Sequence, residues 1–248
     1  GDNAAAALAL QLQAGEAVMS LGTSGVIYGR SHAPVRDYSG VVCSYADGTG
    51  EHQPIAASLS AARTLDAAVA LLDCSHDELS SLALRAPAGA GGLTLLPFFE
   101  GERTPNLPDA RGSVHGASLT NFTPANLARA AIEGMIATQM EMVEAFRRCR
   151  VPMHRLFLIG GGARLAAVQQ VVAQVVGLPL VVPEPGEYVA RGAAVQAGGA
   201  LTGEFANWRP VLHEVARETP QPVVIAQHRA AKAALGYDAT MPAQSLTA

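Results

Sequence analysis

The chain is 248 residues long, 49% hydrophobic and 15% charged, a composition that supports a buried core and excludes a disordered polypeptide. A formal net charge of -4 offers no basic surface to nucleic acid or anionic lipid, and no uninterrupted apolar run approaches the roughly eighteen residues that span a bilayer. Cys43, Cys74 and Cys149 are odd in number and far apart, which fits a reducing cytoplasm, and the seven histidines do not join them at metal-ligand spacing, so no protein-built zinc or iron site is expected.

Gly1-Asp2-Asn3 lacks an initiator methionine and runs straight into an alanine-rich stretch, so the start reads as a cut inside a longer protein. A helix is expected from Asn3 to Leu12 with Asp2 at or near its N-cap. Ala17–Leu21 and Val26–Gly29 read as strands joined by Gly22-Thr23-Ser24-Gly25, a hairpin pattern. Val41–Tyr45 is a third strand candidate. Helical spacing runs from Ser58 to Leu72, a short helix follows over Asp77–Leu84, and Ala86–Gly92 is a loop leading into a buried strand at Leu93–Pro97. Glu100 to Thr123 is rich in turns. Thr123 as N-cap and Pro124 at the first helical position then open a long helix to about Cys149. Beyond it come a strand at Leu156–Ile159, the loop Gly160-Gly161-Gly162-Ala163, and a helix from about Leu165 to Val176. A strand at Leu180–Val182 and a small-residue helix from about Ala190 to Leu201 complete the pattern. Residues 204–248 form a weakly patterned tail with one helix expected around Gln227–Leu235. Hairpin strands followed by alternating helices and strands predict an α/β fold, a mixed sheet with helices.

Two glycine turns carry the chemistry. In Gly22-Thr23-Ser24-Gly25 the glycines let backbone N–H groups approach an anion, and two hydroxyls add donors, as ATP phosphates require. Taken alone, the tetrapeptide reads as an ordinary hairpin turn. Gly160-Gly161-Gly162-Ala163-Arg164 lies between strand and helix, where nucleotides bind open α/β sheets, and a tight strand-to-helix turn is its alternative. It has neither the spacing of a dinucleotide fingerprint nor the lysine of a Walker loop. Together the turns read as the phosphate and adenosine halves of one site.

In order along the chain, Gly1-Asp2-Asn3, Ser20–Gly25, Leu96-Pro97 with Gly101-Glu102-Arg103-Thr104-Pro105, Gly112–Gly116 leading into Asn126–Gly134, Gly160–Arg164 and Gly192-Ala193-Ala194 resemble the FGGY carbohydrate kinases, and most closely their xylulose-phosphorylating branch. The resemblance covers Gly1 to about Gly203. It implies an actin-like, ribonuclease-H-like ATPase domain, the C-terminal half of a two-domain kinase whose N-terminal sugar-binding domain lies outside this chain. By the same resemblance Asp2 is the catalytic base, Gly22, Thr23, Ser24 and Gly25 are the second phosphate loop, and Gly160, Gly161, Gly162, Ala163 and Arg164 hold the adenosine side. ATP is expected as MgATP, the magnesium arriving with the nucleotide. The expected partners are a ketopentose and the N-terminal domain, with a homodimer left open.

Without the resemblance, Asp2 reads as a helix cap. Arg103 and Arg164 are both candidates for phosphate or adenine contact, against a loop-holding role for the first and a solvated one for the second. Glu133 reads as structural. Ala117, Val168 and Asn106 depart from the family pattern and weaken the assignment of the sugar, for which the resemblance implies D-xylulose by preference, with glycerol, gluconate and ribulose as alternatives. A non-catalytic actin-like nucleotide switch and an NAD-binding domain are the readings from other classes. For the chain alone, little or no kinase activity is expected, since half the cleft lies on the other domain.

Overall fold

The computed structural model describes residues 1–208 and 210–237. The rest of the tail expected over residues 204–248 lies outside the described residues. Helix α1 (Asp2–Ala9) precedes a hairpin of β1 (Glu16–Leu21) and β2 (Gly25–Gly29), as the small-residue turn between two apolar runs predicts. Strands β3 (Cys43–Ala46) and β4 (His52–Ser58) follow, then α2 (Ala62–Leu72) and α3 (His76–Leu84). The helix expected from Ser58 therefore starts later, because Ser58 closes β4 opposite Gly25. Sequence periodicity had no hold on β4, whose run Ala56-Ala57-Ser58 is small and favours neither element.

A two-stranded ribbon of β5 (Thr94–Leu96) and β6 (Ser113–His115) leads to α4 (Pro124–Arg148). Thr123 caps that helix by accepting from the backbone N–H of Asn126, with Pro124 in the first turn as expected. Next come β7 (Arg155–Ile159), a single tight turn over Gly161–Arg164, α5 (Ala166–Val176), β8 (Leu180–Pro183), α6 (Tyr188–Thr202), β9 (Leu212–Glu214) and α7 (Pro222–Ala234). The tail thus supplies an edge strand and a helix that begins five residues before Gln227, the expected start.

The main sheet has seven strands in the order β3-β4-β2-β1-β7-β8-β9. β1, β7 and β8 run parallel, β2 runs against β1, and β4 runs against β2 and so with β1. Alternation along the strands sorts side chains to two faces. Ala17, Met19, Leu21, Ile27, Leu156 and Leu158 pack into the larger core with α4 and α5. Val18, Tyr28, Phe157 and Val181 face α1 and Tyr188 of α6. No helix among the described residues is long and apolar enough to cross a membrane.

Inside the larger core α4 carries a buried polar network. Arg129, 2% exposed, donates from Nε to Glu133 Oε1 at 2.6 Å and from a terminal nitrogen to Gln174 Oε1 at 2.5 Å. Glu133 also accepts from the backbone N–H of Gly89 at 3.0 Å, and burial pushes its carboxyl up despite the guanidinium beside it. The network ties α4 to α5 and to the loop before β5, the structural role expected of Glu133.

Candidate nucleotide-binding cleft

The carboxyl ends of β1, β7 and β8 open onto a cleft of about 620 Å³, lined by Asn3 and Ala6 of α1, Ser20 of β1, Gly160, Gly161, Ala163 and Arg164 after β7, and Glu184–Val189 between β8 and α6. Open parallel sheets bind ligands at this end, because loops rather than packed helices cover it. Chain direction also brings helix starts here. α6 follows β8, α5 follows β7, α2 follows β4, and Asn3 in the first turn of α1 lines the wall. Neither α1 nor α6 has its first turn capped by a side chain, whereas α3 and α4 are capped by Ser75 and Thr123, the first N–H of α2 donates to the Gly22 carbonyl, and the Ala167 N–H in the first turn of α5 donates to the Ser80 hydroxyl. Uncapped first turns leave backbone donors and the positive ends of the helix dipoles available to an anion.

Gly160 joins the two glycine turns. Its φ is +95°, and a Cβ there would sit 2.5 Å from the carbonyl oxygen of Leu21, the residue that ends β1. Only glycine permits so close a backbone approach. Gly161 is the opposite case: a Cβ would meet nothing within 4 Å, so its freedom faces the open cleft. Gly162 and Ala163 are buried, and Gly162 packs beside Leu21 and Leu65. Arg164 is exposed at the cleft wall.

The first glycine turn lies just past Leu21. Thr23 and Ser24 are exposed and form a rim beside Gly160 rather than the cleft lining. The carbonyl of Gly22 accepts from the backbone N–H of Ala62, fixing the turn to the start of α2. Gly25 is buried for a packing reason, since a Cβ would fall 2.0 Å from Oε1 of the buried Gln139.

Asp2 is exposed and occupies the first helical position of α1, with Gly1 as the capping residue and no side-chain cap bond. The cap alternative for Asp2 is thereby removed. α1 is seated on α6 by small residues, and a Cβ on Gly192 would overlap the carbonyl of Ala5 at 1.8 Å. Gly192-Ala193-Ala194 therefore sets where the Asp2 helix lies.

The motif Gly101–Pro105 works through a residue that sequence reasoning passed over. Glu102 is 1% exposed, and its carboxylate accepts from the backbone N–H groups of Leu59, Ser60, Arg103 and Thr104 at 2.6–3.2 Å. Thr104 donates to the carbonyl of Ala57 at 2.8 Å. The loop is thus pinned to the end of β4, beside the start of α2. Arg103 is exposed and lies outside the cleft lining.

Other lining residues gave no sequence signal. Tyr188 donates its hydroxyl to the carbonyl of Glu184, and burial raises its phenol above the ordinary value. His213 stands 3.8 Å from the Glu184 carboxylate, and the Gln169 side chain donates to the carbonyl of Ala163 at 2.8 Å.

The family model for the FGGY carbohydrate kinases, C-terminal domain, matches residues 17–201. Xylulose kinase of Streptomyces coelicolor is 40% identical over 228 residues, 88% of this chain and 46% of the relative, and that of Streptomyces rubiginosus is 39% identical over the same shares. The crystal structure of xylulose kinase from Bifidobacterium adolescentis superposes with a TM-score of 0.84 at 40% identity, covering 94% of this chain and 46% of that one. The chain spans about half the length of the relatives it matches. With the actin-like fold, both glycine turns at one sheet edge and the family model matched over most of the chain, the chain belongs to the FGGY family of carbohydrate kinases and carries that family's C-terminal domain.

Proposed function

We propose that this chain is the ATP-handling half of a sugar kinase that transfers the γ-phosphate of ATP to a hydroxyl of D-xylulose. One observation carries the reading. Two glycine turns abut at Gly160 and Leu21, on a sheet edge where α1 and α6 start without side-chain caps. Phosphates match that edge in charge and in donor geometry. Thr23 and Ser24 supply hydroxyl donors at the rim, and Gly161 leaves room for a phosphate or ribose beside the backbone. Arg164 reaches the nucleotide from the wall.

Asp2 is the base. Phosphoryl transfer needs its nucleophile oriented and its proton received, and an exposed carboxylate on the first turn of α1 does both while its neighbour Asn3 lines the cleft. Magnesium enters as part of the MgATP substrate, where it neutralises charge that develops on the phosphates. The sugar is held mainly by an N-terminal domain outside this chain, consistent with the share of the relatives that the chain covers. D-xylulose is preferred to glycerol, gluconate or ribulose because the similar proteins at 40% and 39% identity are named xylulose kinases.

In the two-domain protein, Asp2→Ala should lower kcat by about a hundred-fold or more with ATP affinity nearly unchanged. Turnover at the unaltered rate rejects Asp2 as the base. ADP release measured with each of the four candidate sugars decides the substrate, and faster turnover of glycerol, gluconate or ribulose overturns the choice of xylulose.

A further inference from the structure

At the floor of the cleft one polar atom stands without a partner. Tyr28 lies on β2, opposite Val18, on the face that α1 covers. It is 0% exposed, lines the cleft with Asn3, Ala6 and Ser20, and its hydroxyl makes no hydrogen bond among the described residues. Buried hydroxyls are nearly always paired, and an orphan at the base of a ligand cleft asks for a partner brought in from outside. Packing alone would be served better by phenylalanine at this position, whose ring is the same and which leaves no donor unmet. Burial also holds the phenol protonated far above neutral pH, so the group acts only as a donor to an anion.

We infer that the Tyr28 hydroxyl is an additional nucleotide-binding donor, completing its hydrogen bond on a phosphate oxygen when the cleft is filled. This rests on the proposal that the cleft takes ATP. It differs from the glycine turns in kind, since they supply backbone donors at the sheet edge and Tyr28 approaches from the sheet surface beneath α1. A hydroxyl that is unpaired in the empty cleft and paired in the loaded one favours the bound state by the bond it gains on loading.

The test is Tyr28→Phe in the full 248-residue chain, titrated calorimetrically with ADP and, separately, with adenosine, alongside thermal unfolding of the empty protein. The expected result is ADP affinity about tenfold weaker or more, the loss for a hydrogen bond to a charged group. Adenosine affinity should stay unchanged, and the empty variant should unfold at the same temperature as the parent or higher. Equal ADP affinity in parent and variant overturns the inference, as does an equal loss for ADP and adenosine. A lower unfolding temperature with ADP affinity intact also overturns it, by showing that the hydroxyl serves the empty fold. Absence of ADP and adenosine binding from both the parent chain and the two-domain protein rejects the ATP reading of the cleft, and this inference falls with it.

Discussion

Gly160→Ala probes the junction on which the cleft depends. Two penalties add there. Holding alanine at a φ of +95° costs about 1–2 kcal/mol. The new methyl also falls 2.5 Å, 2.6 Å and 2.9 Å from the carbonyl oxygen, carbonyl carbon and nitrogen of Leu21, and those backbone atoms are fixed in β1 between two strands. Overpacking of that kind costs about 1–3 kcal/mol. The sum is about 2–5 kcal/mol, which for a domain of this size lowers Tm by on the order of 10 °C. Gly161→Ala is the matched control, since its methyl meets nothing within 4 Å. Its stability should stay within about 0.5 kcal/mol of the parent. Its ADP affinity should fall, because the methyl intrudes on the cleft. Thermal unfolding followed by circular dichroism, with calorimetric ADP titration of the same samples, reads both. An unchanged Tm for Gly160→Ala, or an equal drop for Gly161→Ala, refutes the assignment of one glycine to the junction and the other to the ligand.

Arg129→Met should cost about 3–5 kcal/mol in urea unfolding, because Glu133 is left buried without its cation, and adding Glu133→Leu should recover much of that loss. Glu102→Ala strands four backbone donors and should cost at least about 3 kcal/mol in the same assay, with heightened proteolysis between Leu59 and Thr104. His228 is 2% exposed with neither ring nitrogen paired among the described residues, and burial, with Lys232 and Arg229 adding to it, pushes its pKa down to about 3. The folded protein therefore keeps the ring neutral while the unfolded chain takes a proton below about pH 6.5, so stability falls as pH drops from there toward 3. By pH 5 the loss is about 2 kcal/mol, and urea unfolding of His228→Leu should show a flatter acid limb; equal slopes would reject it.

Elements with local signatures were readable in advance. The β1–β2 hairpin announces itself by a small-residue turn between apolar runs, and α4 by Thr123 and Pro124 at its start. Both glycine turns of the cleft were visible as strand-flanking loops, and the family resemblance assigned them roles. Features that depend on distant partners were not. Glu102 finds Leu59 and Ser60 more than forty residues upstream, and nothing near it in the chain marks it as a buried acceptor. Gly192 has meaning only once α1 lies across α6, and Tyr28 looks like any aromatic strand residue until its hydroxyl proves unpaired. β4 escaped because its small residues pack by their neighbours' shape and carry no strong propensity of their own.

The claim that one sheet edge receives the nucleotide is tested most directly by amide chemical shifts recorded during MgATP titration of the chain. Saturable shifts should concentrate at Gly22–Gly25, at Gly160–Arg164 and in the first turns of α1 and α6. Shifts absent from both glycine turns while MgATP binds elsewhere, or a stronger response at the same amides to NAD, would contradict the account.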